Sequence, residues 1–404
     1  MFQNGQSVPS RTGIAATKAD FVFFDAGGGH RAAATSLLQV VRERRSPLDI
    51  RLVNLQDLLD SIDVFRKLTG LRLQDLYNLM LKKGWTLGSP QMTAGMHAVI
   101  RLFHGREVRL LEELWKRNRP DLVVSLVPNF NRAIAESLAR ALPGVPFVTV
   151  LTDLADYPPH FWIEPPRPDQ GQHIVCGSDR AVEQAQALGH DRSRVFRVSG
   201  MILNPAFYEL PPLAAGERAA ARAHLGFRPD LPVGIVLFGG HGAAVIYEIA
   251  RRMRGRQLLL VCGHNAKLAA QLKAYAPSHG APLFIEGFTR QVPWYMQLAD
   301  YFIGKPGPGS VSEAVHMRLP VIVECNAWTL PQERYNAVWI QEQGAGMVLR
   351  NFRGIAAAVD ALLEPKAYIH FRAATERLSN HAVFEIAEIL ERLADSVQAG
   401  QVTQ

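Results

Sequence analysis

Short apolar runs, bounded by turn residues and separated by longer amphipathic stretches, set the strongest limit on how this chain can fold. Residues 21–24, 50–55, 122–126, 147–151 and 173–175 form such runs in the first half; residues 234–238, 258–261, 283–286, 301–303 and 321–323 form them in the second. Most are apolar throughout rather than at alternate positions, the pattern of strands buried on both faces. Helical periodicity follows each run, so the repeated unit is strand then helix, and the expected fold class is α/β with doubly wound parallel sheets. No short repeat recurs along the chain, which argues against a solenoid.

At 404 residues the chain exceeds what one core usually serves. A proline-rich and polar stretch at residues 201–217 suggests a boundary, giving an expected first domain of residues 1–205 and a second of 206–380. Residues 381–404 would be a closing helix, with apolar Phe384, Ile386, Ile389, Leu390 and Leu393 able to pack back on the first domain. Residues 61–118 hold more helical pattern than a simple crossover needs. There Phe65, Leu68, Leu71, Leu76 and Leu79 lie among Arg66, Lys67, Arg72, Lys82 and Lys83. That pairing of faces suits either a membrane surface or a packed insertion with solvated charge.

Three scattered cysteines, Cys176, Cys262 and Cys325, offer neither a disulfide framework nor a zinc site, so a reducing compartment is expected. The first twenty residues lack a signal-peptide run, and no stretch of about 20 apolar residues could span a bilayer. A net charge of +7 favours anionic partners such as phosphates or an acidic membrane surface. Nucleic acid is not expected, because no RNA-binding signature or dense basic block accompanies the charge.

Four strand–turn–helix segments can carry chemistry. In the first, Asp25, Gly28 and Gly29 lie in a glycine turn that ends at His30, on the helix start. Glycines there let backbone N–H groups approach a ligand, and a neutral imidazole can take a proton from a hydroxyl. The turn lacks the GxGxxG spacing, and no acidic residue ends the next strand, so a nicotinamide-dependent dehydrogenase is disfavoured. In the second, residues 304–313 read GKPGPGSVSE. Pro308, Gly309 and Ser310 would open a helix able to hold a pyrophosphate without metal, and Glu313, one turn on, could accept both hydroxyls of a ribose. The third places Gln332, Glu333 and Asn336 after a strand, where amides and carboxylates suit sugar hydroxyls. The fourth, FGGHG, puts Gly240, His241 and Gly242 at the turn that opens the second half. Asp153 in TDLADYPPHFW and Phe288 after the strand at residues 283–286 complete the set.

Taken together, DAGGGHRAAA, the TDL segment with PPHFW, FGGHG, GKPGPGSVSEA and PQERYN resemble the monogalactosyldiacylglycerol synthases and bacterial diacylglycerol glycosyltransferases. More distantly they resemble the N-acetylglucosaminyltransferase that forms lipid II. The resemblance runs from Phe21 to about Val348 and implies a GT-B fold, two Rossmann-like domains facing across a cleft. It further implies a UDP-sugar donor in the second domain and a lipid acceptor in the first. By that likeness Phe288 would meet the uracil, Gly309 and Ser310 the diphosphate, Glu313 the ribose, and Gln332 and Glu333 the hexose. His30 would be the base of an inverting transfer that uses no metal and no other cofactor, at the cytoplasmic face of a membrane. A nucleotide-sugar 2-epimerase of the same architecture and a non-catalytic nucleotide-sugar-binding protein remain as alternatives. Oligomeric state is not indicated.

Overall fold

The structure, a computed structural model, describes residues 16–25, 29–59, 89–167 and 171–402, with no side-chain surroundings for residues 89–101 and 398–402. Gly28 and the 61–88 part of the expected insertion lie outside the described residues.

Among the described residues twelve strands form two sheets in which every pairing is parallel. The first contains β1 (Thr17–Phe23), β2 (Leu48–Asn54), β3 (Leu122–Ser125), β4 (Phe147–Val150), β5 (Gln172–Cys176) and β6 (Val195–Arg197). The second contains β7 (Val233–Leu237), β8 (Gln257–Val261), β9 (Leu283–Glu286), β10 (Tyr301–Gly304), β11 (Val321–Glu324) and β12 (Gly346–Leu349). All ten apolar runs read from the sequence fall on strands. β6 and β12 were not anticipated, because three residues of half-buried VFR and a glycine-led GMVL give no continuous apolar signal. β1 begins earlier than its apolar run. Its Asp20 is fully buried, where it accepts from Arg51 Nε at 2.7 Å and from Asn118 Nδ2 at 2.9 Å.

Strand order decides where ligands can bind. The first sheet runs β2-β1-β3-β4-β5-β6 and the second β12-β11-β10-β7-β8-β9. In each, the chain reverses its direction of winding at one pair of central strands, β1 beside β3 and β7 beside β10. Connections leaving toward opposite faces open a crevice there, at the carboxyl ends of the strands. The loop leading to His30 follows β1, and GKPGPGS follows β10. Sequence motifs and topological crevices therefore coincide.

The Ser89–Asn118 helix resolves part of the insertion question. Val108, Leu111, Leu114 and Trp115 are buried against Ile134 and Leu138, and Trp115 Nε1 donates to Ser137 Oγ at 2.8 Å. One face of its last turns is a packed crossover. No helix among the described residues is long and apolar enough to cross a membrane.

The Ala382–Val402 helix returns to the first sheet. Val383, Ile386, Ala387 and Leu390 share one core with Leu37 and Val41 of the Gly29–Glu43 helix. Arg44 caps that contact with ion pairs to Glu388 at 3.2 Å and Glu391 at 3.3 Å. Burial and exposure assign the stabilisation: Leu390 is fully buried, while Arg44 and Glu388 keep much of their solvent. Leu390→Ala is expected to lower stability by about 2–5 kcal/mol. Arg44→Ala should cost less than about 1 kcal/mol, because exposed pairs are screened. Urea denaturation of the two variants checks this ranking.

Candidate active site

His30 is the second residue of the Gly29–Glu43 helix. Its Nδ1 lies 3.1 Å from Thr152 Oγ1, and its ring centroid is 5.8 Å from that of Trp162. The ring also hydrogen-bonds the backbone of Leu126. Since the Leu126 N–H already donates to Val22, the group facing His30 is a carbonyl, which can only accept. One ring nitrogen therefore carries the proton and the other keeps its lone pair. Burial pushes the imidazole down to about 4, with the Leu126 hydrogen bond opposing. At neutral pH His30 is an uncharged base.

Asp153, three residues beyond β4, is buried and accepts from Trp162 Nε1 at 2.9 Å. Burial raises its carboxyl to about 7, opposed by the Trp162 hydrogen bond and by Lys305, and reinforced by Glu333 and Asp156. Trp162 thus stands between the imidazole and this carboxyl. The loop that delivers it is fixed by Asp156, whose carboxylate accepts from the backbone N–H groups of His160 at 2.9 Å and Trp162 at 2.6 Å. Asn131 Nδ2 donates to the Trp162 carbonyl at 2.8 Å. Asp25 lies apart from this set, in an exposed ion pair with Arg31 at 2.8 Å. Gly29 is the exposed first residue of the helix.

In the second half two glycine turns interlock. Gly242 has φ of +63°, and a side chain there would meet the Cys262 carbonyl oxygen at 2.1 Å. Gly263 has φ of +55°, and a side chain there would meet the Gly240 carbonyl oxygen at 2.2 Å. His264 N–H closes the pair by donating to Gly240 at 2.9 Å. His241 is exposed at the tip. His264, which the sequence reading did not single out, stacks on Phe288 with centroids 4.0 Å apart and planes 14° apart. Both rings are exposed, so they make a flat aromatic face between the loops after β8 and β9. The signal available for it was the glycine before His264, placed as in the FGGHG turn.

The loop after β10 leads into the Pro308–His316 helix, whose cap is Gly307; no side chain caps it and its first turn holds no acidic residue. Pro308 has no N–H, and the N–H groups of exposed Gly309 and half-buried Ser310 stand at this positive end. Glu313, one turn on, is half-buried, and burial alone raises its carboxyl to about 7. Glu333 is mostly buried and holds Lys305 Nζ at 2.6 Å. Gln332 beside it is half-buried. Asn336 is fully buried, and its Nδ2 donates to the Pro306 carbonyl at 2.8 Å. It ties the helix that follows to the loop after β10. Among the described residues no three His, Cys, Asp or Glu side chains gather as metal ligands.

Residues 235–392 match the glycosyltransferase family 28 C-terminal domain. The chain is a glycosyltransferase similar to galactolipid synthases. A probable monogalactosyldiacylglycerol synthase 2 from Oryza sativa subsp. japonica is 29% identical over 385 residues, 88% of this chain and 76% of the relative. The monogalactosyldiacylglycerol synthase of Spinacia oleracea is 28% identical, over 91% of this chain and 71% of its own length. The solved structure of Acinetobacter baumannii MurG superposes with a TM-score of 0.59 at 12% identity, covering 93% of this chain and 99% of that one. Medicago truncatula UGT71G1, solved in complex with UDP-glucose, superposes with a TM-score of 0.58 at 15% identity over 94% of this chain and 98% of its own. The two facing sheets are those of the GT-B glycosyltransferases, the fold expected from the sequence.

Within this glycosyltransferase, the raised Glu313 carboxyl has a measurable consequence. The native protein holds a proton that the unfolded chain gives up near its ordinary value of 4.5. The associated stability is complete below 4.5 and is lost as pH rises through about 7. Glu313→Gln, which mimics the protonated form, should flatten that decline. Unfolding free energies of wild type and variant between pH 5 and about 8 check the sign.

Proposed function

We propose that this glycosyltransferase moves a hexose from a UDP-sugar to the hydroxyl of a lipid such as diacylglycerol, inverting the anomeric carbon. The acceptor lies on residues 1–205 and the donor on residues 206–380, with the 381–404 segment tying them together. One observation carries the reading. Asp153, which shares Trp162 with the candidate base, lies within electrostatic reach of Lys305 and Glu333 from the opposite sheet. That proximity supports a base and a helix start that border one reaction volume.

In the reaction, the acceptor oxygen forms a bond to the anomeric carbon as its proton passes to neutral His30. The bond from that carbon to the diphosphate oxygen breaks, and its electron pair leaves with UDP. Gly309 and Ser310 N–H groups meet the diphosphate, while Glu313 accepts from the ribose hydroxyls. The His264–Phe288 face offers a stacking surface for the uracil. Metal-independent transfer fits this arrangement, because developing charge falls on preorganised N–H donors. Relatives named monogalactosyldiacylglycerol synthases support a diacylglycerol acceptor. The net charge of +7 supports recruitment to anionic lipid at a cytoplasmic membrane face.

His30→Ala is expected to lower turnover at least about 10²-fold while leaving UDP affinity intact. Glu313→Ala should weaken UDP binding instead, and EDTA should alter neither activity nor affinity in the wild type. Calorimetric titration beside a radiolabelled transfer assay separates the two variants. Near-normal turnover in His30→Ala would remove it as the base.

A further inference from the structure

We propose that Lys305 is a further catalytic residue, the cation that takes the β-phosphate of the departing nucleotide, and that Glu333 holds it in place until the donor arrives. The proposal rests on the donor-site reading above and adds to it a residue with a defined task.

The geometry begins at Gly307. Its φ of −71° and ψ of 134° suit any residue, so the glycine is not there for backbone freedom. Space explains it. A side-chain carbon at this position would lie 3.2 Å from Lys305 Cε, 3.4 Å from Ser310 Oγ and 3.7 Å from Glu333 Oε1. Three functional groups therefore converge over one bare Cα, at the uncapped start of the Pro308–His316 helix. Lys305 Nζ is 2.6 Å from Glu333 Oε1, yet 41% of its side chain remains exposed against 11% for Glu333. An ammonium has three donors; this one directs one to the buried carboxylate, and part of its side chain stays open to solvent on the loop after β10.

Magnitudes explain why such a cation is needed. A helix start supplies roughly half an elementary charge. When the bond to the anomeric carbon breaks, its electron pair leaves a full additional negative charge on the β-phosphate oxygen. Lys305 supplies a whole positive charge beside Ser310, where the helix N–H groups already point. The acceptor hydroxyl proton goes to His30 and the leaving electron pair to the phosphate, so neither is transferred to Lys305; it stabilises charge and nothing more. Its role is largest late in the step, when that charge is greatest.

The test measures UDP and uridine affinity by calorimetry, together with turnover, in wild type and in Lys305→Met, Glu333→Gln and Gly307→Ala. Lys305→Met is expected to weaken UDP binding about tenfold or more, to leave uridine binding unchanged, and to reduce turnover about 10²–10³-fold. Glu333→Gln frees the ammonium and should keep or strengthen UDP binding. Gly307→Ala, whose backbone accepts alanine, should displace Lys305 and weaken UDP binding in the same sense as Lys305→Met. If Lys305→Met binds UDP as tightly as wild type while Glu313→Ala does not, the proposal fails and the donor site stands. If Lys305→Met and Glu333→Gln lose UDP and uridine alike, the pair is only a structural brace and the proposal also fails. If wild type binds no uridine nucleotide, the donor-site reading falls and this inference with it.

Discussion

Parallel strands buried on both faces must send their connections to opposite sides of the sheet, and the two central crevices this opens are what the rest of the molecule depends on. Backbone N–H groups at helix starts, glycine turns and short polar loops all gather at the carboxyl ends of β1, β4, β7, β10 and β11. The cores beneath them are continuous apolar layers, so a loop can carry charge without disturbing the strand that aims it. The return of the Ala382–Val402 helix onto the first sheet gives the two halves a shared anchor far from the chemistry. Around that anchor Tyr208 packs against His316, His381 and Phe384, at the foot of the helix whose other end carries Ser310.

Charge at the meeting of the halves is arranged in layers. His30 is neutral because burial leaves its cationic form unsolvated. Asp153 sits near its own titration point because the buried surroundings and Glu333 oppose what Trp162 and Lys305 favour. Glu313 is held high by burial alone. A site with three such groups is poised to respond to an incoming anion with several hydroxyls, since each new hydrogen bond changes which protonation state is preferred. Binding, on this account, sets the charges that the transfer then uses.

The fold was legible because burial on both faces writes itself as unbroken apolar runs. β6 and β12 escaped because edge strands, half-buried and short, need not be written that way. Glycine turns were legible too, though their reasons were not. Gly242 and Gly263 are required by each other's carbonyl neighbours, a constraint between two separate loops that no local pattern carries. Gly307 lies where three side chains converge. Asn336 is expected at the sugar from its type and position, and its hydrogen bond to Pro306 appears only once the loop after β10 is placed. Thr152 and Trp162 come to His30 through strand order, so their part in the site appears once β4 is placed beside β3.

The central claim is transfer to a lipid with inversion, and product analysis tests it most directly. The protein would be incubated with a UDP-hexose and vesicles containing diacylglycerol and an anionic lipid, and both products followed by mass spectrometry and proton NMR. The account predicts one UDP released for each glycolipid formed, with the new linkage opposite in anomeric configuration to the donor. Release of a rearranged free sugar with no glycolipid, or a linkage that keeps the donor's configuration, would contradict it.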